Sequence, residues 1–148
     1  MYSVELKSRA AGWLAFSSLS VAPHYLAYFN ELVGGPRNGP NYLLDSNVDW
    51  GQDLKLLARY LREDDVDEVK LNYFGVDRCE RYGISCVEMK CEPEGGLIAV
   101  SVNSLYGLTE KESHCFQWLR QFEPIETIGY SIYLYRLMED EVDEGGSR

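Results

Sequence analysis

Basic side chains and histidine are what this chain has least of. Against 24 Asp and Glu stand 14 Lys and Arg and only 2 His, a formal net charge of −10. Affinity for a phosphate backbone comes mainly from clustered Lys and Arg that release counterions. The sequence holds no basic stripe, so we read no nucleic-acid partner. The two histidines, His24 and His114, stand beside aromatic or helix-packing residues, and no G-x-S-x-G elbow, phosphate loop or dinucleotide fingerprint is present. Acid/base work by carboxylates remains open in principle, but nothing picks out a pair at a suitable separation. The sequence therefore designates no catalytic residue and no cofactor.

Long hydrophobic runs are missing too. The uncharged, largely apolar stretch from Ala10 to Ala22 is about 20 Å long as a helix, short of a hydrocarbon core of about 30 Å. Lys7 and Arg9 ahead of it and Ser20-Val21-Ala22 behind imitate a signal peptide, yet Glu5 and Pro23 argue against cleavage. C-x-x-C pairs are also lacking. Cys79, Cys86 and Cys91 are spaced too widely for a zinc assignment. Cys115 falls on an apolar helical stripe, where a thiol behaves as a small hydrophobe. If the domain is exported, one disulfide among the first three is expected, and the sequence does not choose the pair.

What is present suffices for a packed domain. A chain of 148 residues can bury roughly 70% of its unfolded surface. Its 11 Tyr and 3 Trp supply large amphipathic side chains. After Pro23, the spacing of Tyr25, Tyr28, Phe29 and Leu32 predicts a helix with one apolar face, ended by Gly34-Gly35. Tyr42 to Leu44 reads as a short strand. Asp49 with Gln52 reads as the capping box of a helix over 50–63, whose buried stripe is Leu54, Leu57, Ala58 and Leu61. Val69, Leu71 and Tyr73 alternate as a strand, and Leu97 to Val102 suits a central one. Thr109 with Glu112 repeats the capping signature. Cys115, Trp118, Leu119 and Phe122 continue as a helical stripe, and Ile128, Tyr130, Ile132 and Leu134 mark a long last strand.

This order predicts a single α/β domain over 34–138, with a mainly parallel or mixed sheet of four to five strands flanked by helices. It is preceded by an N-terminal helical segment over 1–33 and followed by an acidic, solvated tail over 139–148. The candidate binding residues gather between the first predicted strand and helix. Asp45, Asn47 and Asp49 have the oxygen spacing of a calcium loop, with Asp53 as an optional further ligand, although the positions where an EF-hand needs Gly and a bidentate acid hold Trp50 and Leu56. The alternative is that Asp49 caps a helix, Ser46 and Asn47 bond a turn, and Trp50 packs over it. At the C-terminal end of a strand, Asp45, Asn47, Asp49, Trp50, Gln52 and Asp53 also occupy the usual ligand crevice of an α/β sheet. Arg37, in a Gly/Pro-rich loop, is a candidate anion ligand.

The segments Tyr28-Phe29-Asn30-Glu31-Leu32-Val33-Gly34-Gly35-Pro36 and Leu44-Asp45-Ser46-Asn47-Val48-Asp49-Trp50-Gly51-Gln52-Asp53-Leu54 carry a resemblance. With Pro23-His24-Tyr25, Tyr73-Phe74-Gly75, Tyr82-Gly83-Ile84, Ser101-Val102-Asn103 and Ile128-Gly129-Tyr130-Ser131-Ile132, they resemble the extracytoplasmic C-terminal domain of bacterial phospholipid-carrier-dependent glycosyltransferases. That membrane family includes protein O-mannosyltransferases and lipid A aminoarabinose transferases. In it a multi-pass membrane part binds a lipid-phosphate sugar and carries the catalytic acids, none of which matches a position here. The resemblance implies a non-catalytic, membrane-associated, extracytoplasmic domain, whose N-terminal segment is the stub of a transmembrane or interfacial helix. It further implies as partners a membrane or a membrane-embedded transferase subunit and a carbohydrate or lipid-linked sugar, as in the trailing fragment of a split transferase gene. The alternative is a stand-alone carbohydrate- or calcium-binding module built on the Asp45 to Asp53 corner. A third is an independent small hydrolase or transferase.

Overall fold

The computed structural model describes residues 2–29, 32, 34–42, 49–107 and 114–145. The chain opens with α1 (Tyr2–Ser20) and continues through two 3₁₀ segments, Tyr25–Ala27 and Pro36–Asn41. Then come α2 (Leu54–Glu63), β1 (Glu68–Asn72), a 3₁₀ turn at Cys79–Tyr82, β2 (Ser85–Glu88) and β3 (Gly96–Ser101). The short α3 (Val102–Tyr106), a 3₁₀ segment at Gln117–Gln121, β4 (Glu126–Ile128), β5 (Ile132–Leu137) and α4 (Glu139–Gly145) complete it.

The five strands form one mixed sheet in the order β2-β1-β3-β5-β4. Both β2 and β3 run parallel to β1, whereas β5 is antiparallel to β3 and β4 to β5. The near-continuous apolar run of β3 follows from its place in the middle, with both faces covered. On one face α2 lays Leu54, Leu57, Ala58 and Leu61 against Val69, Leu71, Ala99, Ile132 and Leu134. Those helix positions recur at i, i+3, i+4 and i+7, so one stripe meets the sheet while Lys55, Arg59 and Arg62 face water. The other face packs Ile98, Val100, Tyr135 and Leu137 against Leu105, Phe116, Leu119 and Val142. The α/β class and the flanked five-strand sheet are thus as the sequence predicts.

Several local expectations are corrected. The long last strand is a hairpin, because Gly129 and Tyr130 take positive φ angles of 60° and 70° and the Ser131 N–H returns to the Ile128 carbonyl at 3.2 Å. Positive φ at both central residues is the type I′ pattern that hairpins favour. The alternation deceives because Ile128 pairs with Ile132 across the turn, so both keep the same face. The helix expected after Pro23 shrinks to the 3₁₀ turn Tyr25–Ala27. The predicted strand at 42–44 and the Thr109 and Glu112 cap lie largely outside the described residues, with Tyr42 placed just after a 3₁₀ segment. The segment between β1 and β3 contributes β2 to the sheet. In place of a regular helix carrying Cys115, residues 114–116 are helical and 117–121 form a 3₁₀ segment, which places Phe116 and Leu119 in the core.

Cysteine pairing differs in part. Cys79 bonds Cys86, the one bond expected among the first three cysteines, whereas Cys115 is not a free buried thiol but bonds Cys91. Residues 139–145 of the supposed solvated tail form α4, and Val142, 5% exposed, anchors it in the second core cluster. At the other end, α1 exposes every described side chain from Glu5 to Ser20 except Ser17, whereas Val21 and Ala27 are buried. No helix among the described residues is long and apolar enough to cross a membrane.

Candidate functional site

The connection after β1 leads to β2 on one side of the sheet, and the chain after β3 leads to β5 and β4 on the other. Ligand crevices of open α/β sheets form at such divergence points, beyond the carboxyl ends of the strands. Here that place is filled by Asp49 and Asp53, from the loop entering α2, together with Ser101 at the end of β3 and Ser131 from the hairpin turn.

Asp49 is fully buried. Its Oδ1 accepts the Gly51 N–H at 2.7 Å, and its Oδ2 accepts the Ser101 hydroxyl. The Ser101 oxygen accepts in turn the Asn103 N–H at 3.2 Å, which caps α3. Asp53, 2% exposed, accepts the Ser131 hydroxyl at 2.7 Å and the Gln52 amide at 3.2 Å on Oδ2. Its Oδ1 lies 3.6 Å from His24 Nδ1. The imidazole, half-buried, sets its edge against the Tyr130 ring with centroids 5.7 Å apart. Tyr73, just past β1, donates its hydroxyl to the Gly51 carbonyl.

Glycine is required at two points of this cluster. A Cβ on Gly129 would stand 2.1 Å from Asp53 Cγ, and one on Gly51 would stand 2.7 Å from the Phe74 carbonyl oxygen, at φ of +60° and +76°. The carboxylate of Asp53 therefore occupies the space that a hairpin side chain would take.

Burial pushes both carboxyl groups above the ordinary value of 3.8, because a charged form loses hydration there. Hydrogen bonds from Ser101 and the Gly51 amide oppose the shift at Asp49, while the charge of Asp53 adds to it. At Asp53 the Ser131 hydroxyl and the His24 ring oppose it. Tyr73 is pushed up to about 12, by burial first and the Asp49 charge second.

These contacts replace the capping box expected at Asp49 and Gln52. The helix starts at Leu54, the first-turn amides of Leu56 and Leu57 bond the Asp53 backbone carbonyl, and Asp53's side chain caps nothing. Gln52 Oε1 accepts the Trp50 N–H at 2.7 Å instead. Trp50 is 64% exposed, and the turn over which it was expected to pack lies outside the described residues. Asp45 and Asn47 lie outside the described residues. Arg37 stands apart from the corner, beside Tyr133 and Tyr135.

Of the candidates, then, Asp49, Gln52 and Asp53 come together, joined by His24, Tyr73, Ser101 and Ser131, which residue-by-residue reading missed. A polar Ser101 closing the four apolar residues 97–100 would have been one signal; Gly129 interrupting an alternating strand was another. Both oxygens of Asp49 and Oδ2 of Asp53 accept N–H or O–H donors, Asp53 Oδ1 faces His24 at 3.6 Å, and no cluster of three metal-binding side chains forms among the described residues. Nor are the serines set up as nucleophiles, since each donates its proton to a carboxylate rather than to an imidazole. What remains open is the His24 edge, on a cleft of about 430 Å³ lined also by Tyr25, Gln52, Lys55 and Leu56. Comparison with protein-family models, curated proteins and solved structures returned no match.

Proposed function

We propose that this chain is a non-catalytic, extracytoplasmic domain related to the soluble cap of lipid-phosphate-sugar-dependent glycosyltransferases, held at a membrane or against a membrane-embedded transferase subunit through α1. The observation that carries the reading is the surface of α1. Leu6, Trp13, Leu14, Phe16 and Leu19 are all between 53% and 76% exposed and spread over more than half of the helix circumference, while its charges are confined to Glu5, Lys7 and Arg9. So broad an apolar helix surface left open to water belongs in hydrocarbon or against other apolar helices. At about 16 Å its uncharged part matches insertion into one leaflet rather than a full crossing. Two disulfides fit an oxidising, extracytoplasmic compartment. The segments on which the family resemblance rests supply His24, Asp49, Asp53, Tyr73, Ser101 and Ser131 to one corner of the fold. That convergence supports reading them as one unit, and the occupied serines and carboxylates support a scaffolding role over a catalytic one.

Liposome flotation tests the anchor. The chain is expected to float with vesicles, and Phe16→Glu with Leu19→Lys is expected to leave it at the bottom of the gradient with an unchanged melting temperature. A wild-type chain that stays with the soluble fraction, both with vesicles and with a co-expressed transferase membrane subunit, would remove the basis of the reading.

A further inference from the structure

A second cleft lies on the sheet face opposite α2, remote from the Asp49 and Asp53 corner. Its volume is about 570 Å³, within the size range of small-molecule sites. Tyr135, only 2% exposed as a residue, lines this cleft, and its hydroxyl forms no hydrogen bond to a described residue. The hydroxyl is not fully enclosed by protein, so a ligand atom in the cleft can reach it. Tyr106 and Tyr133 line the same space. Burial, and then the neighbouring Tyr106, push the Tyr133 hydroxyl up to about 12, so at neutral pH it remains a proton donor.

Two guanidinium groups complete the donor set. Arg120 stacks over the Tyr106 ring at 4.9 Å, which holds its planar fork in one orientation. Arg37 lies close enough to Tyr133 for its charge to oppose that hydroxyl's rise. Neither arginine has a carboxylate partner among the described residues. In a chain of net charge −10, two guanidinium groups without a described carboxylate partner lining one cleft run against the overall field. Glu123 and Glu126 stand exposed at its rim, and Phe122 offers an apolar surface.

We propose that this cleft binds a sugar acid, a pyranose ring bearing one carboxylate. Arg37 and Arg120 take the carboxylate, the tyrosine hydroxyls and the rim glutamates take ring hydroxyls that both donate and accept, and Phe122 receives the C–H face of the ring. A phosphate dianion fits less well, because it would meet the rim glutamates with twice the charge.

Titration calorimetry with glucuronate, glucose and inorganic phosphate tests the assignment. Glucuronate is expected to bind with a dissociation constant of about 1 mM or tighter, and glucose about tenfold more weakly. Tyr135→Phe and Arg37→Ala are each expected to weaken glucuronate about tenfold while leaving the melting temperature in place. No heat with glucuronate at about 10 mM, or equal affinity in wild type and both variants, overturns the proposal. So does phosphate binding tighter than glucuronate and lost in Arg37→Ala, which would make the cleft a simple oxyanion site.

Discussion

Two carboxylates buried side by side in the same corner, Asp49 and Asp53, are tolerated because each is surrounded by donors: a serine hydroxyl apiece, the Gly51 amide, the Gln52 amide and the His24 ring. Those donors offset part of the lost hydration, and both groups still titrate above 3.8. A carboxyl whose folded value is raised binds its proton more readily in the folded than in the unfolded chain. Its contribution to stability is therefore fully present below 3.8 and is lost as pH rises through the elevated value. Going from about pH 7 to about pH 4, close to the unfolded value, should recover part of this contribution. Asp53→Asn, neutral throughout, should lack the Asp53 share. Urea unfolding at the two pH values checks this, since carboxylates common to both proteins cancel in the comparison. A midpoint that moves as far in Asp53→Asn as in wild type would show that Asp53 is not shifted. The hydroxyl of Ser131 could not be assigned to this network from the sequence, where it reads as one more residue of an alternating strand.

Elements obey the sequence where a single period runs through them and depart from it where the chain turns. The α2 stripe was legible because four apolar residues at helical spacing meet one flat sheet, and β3 because a central strand needs no polar side. Its start was misplaced for a definite reason: the Asp49 side chain bonds Gly51 and Ser101, so the turn is completed before the helix can begin. The end of α2 shows a different compromise. Asp65 adopts φ of 54°, and the Val66 N–H reaches back to the Leu61 carbonyl at 2.9 Å, while the Asp65 N–H reaches Arg62. This is the Schellman ending, which glycine occupies most readily because it has no Cβ to crowd the carbonyl. Asp65→Gly should therefore stabilise the protein by about 0.5 to 1 kcal/mol, after the entropy that glycine adds to the unfolded chain is set against the relief. Chemical unfolding of the single variant measures it. A loss of stability of similar size would mean that the Asp65 side chain makes a compensating contact in the folded state.

At the scale of the whole molecule, two covalent ties link what the sheet alone leaves separate. Cys79 to Cys86 fastens the 3₁₀ turn after β1 to β2, a local closure with a sequence separation of 7. Cys91 to Cys115 spans a separation of 24 and joins the connection between β2 and β3 to the segment that brings Phe116 and Leu119 onto the second face. Sequence spacing could nominate the first three cysteines but not this partner, because Cys115 also satisfies a helical apolar stripe, and only the tertiary fold brings it beside Cys91. A cross-link restricts the unfolded chain more when it closes a longer loop, by about 3 kcal/mol for the longer separation and about 2 kcal/mol for the shorter. Replacing Cys91 and Cys115 together by Ser should thus lower the unfolding free energy by about 3 kcal/mol, more than replacing Cys79 and Cys86. Urea unfolding with and without reductant separates the outcomes. Reductant should lower the wild-type midpoint markedly, and should lower that of the Cys91→Ser, Cys115→Ser protein only by the share of the remaining bond. An unchanged wild-type midpoint in reductant would show that neither tie holds the folded chain, and with it the case for an oxidising compartment would lose its chemical support.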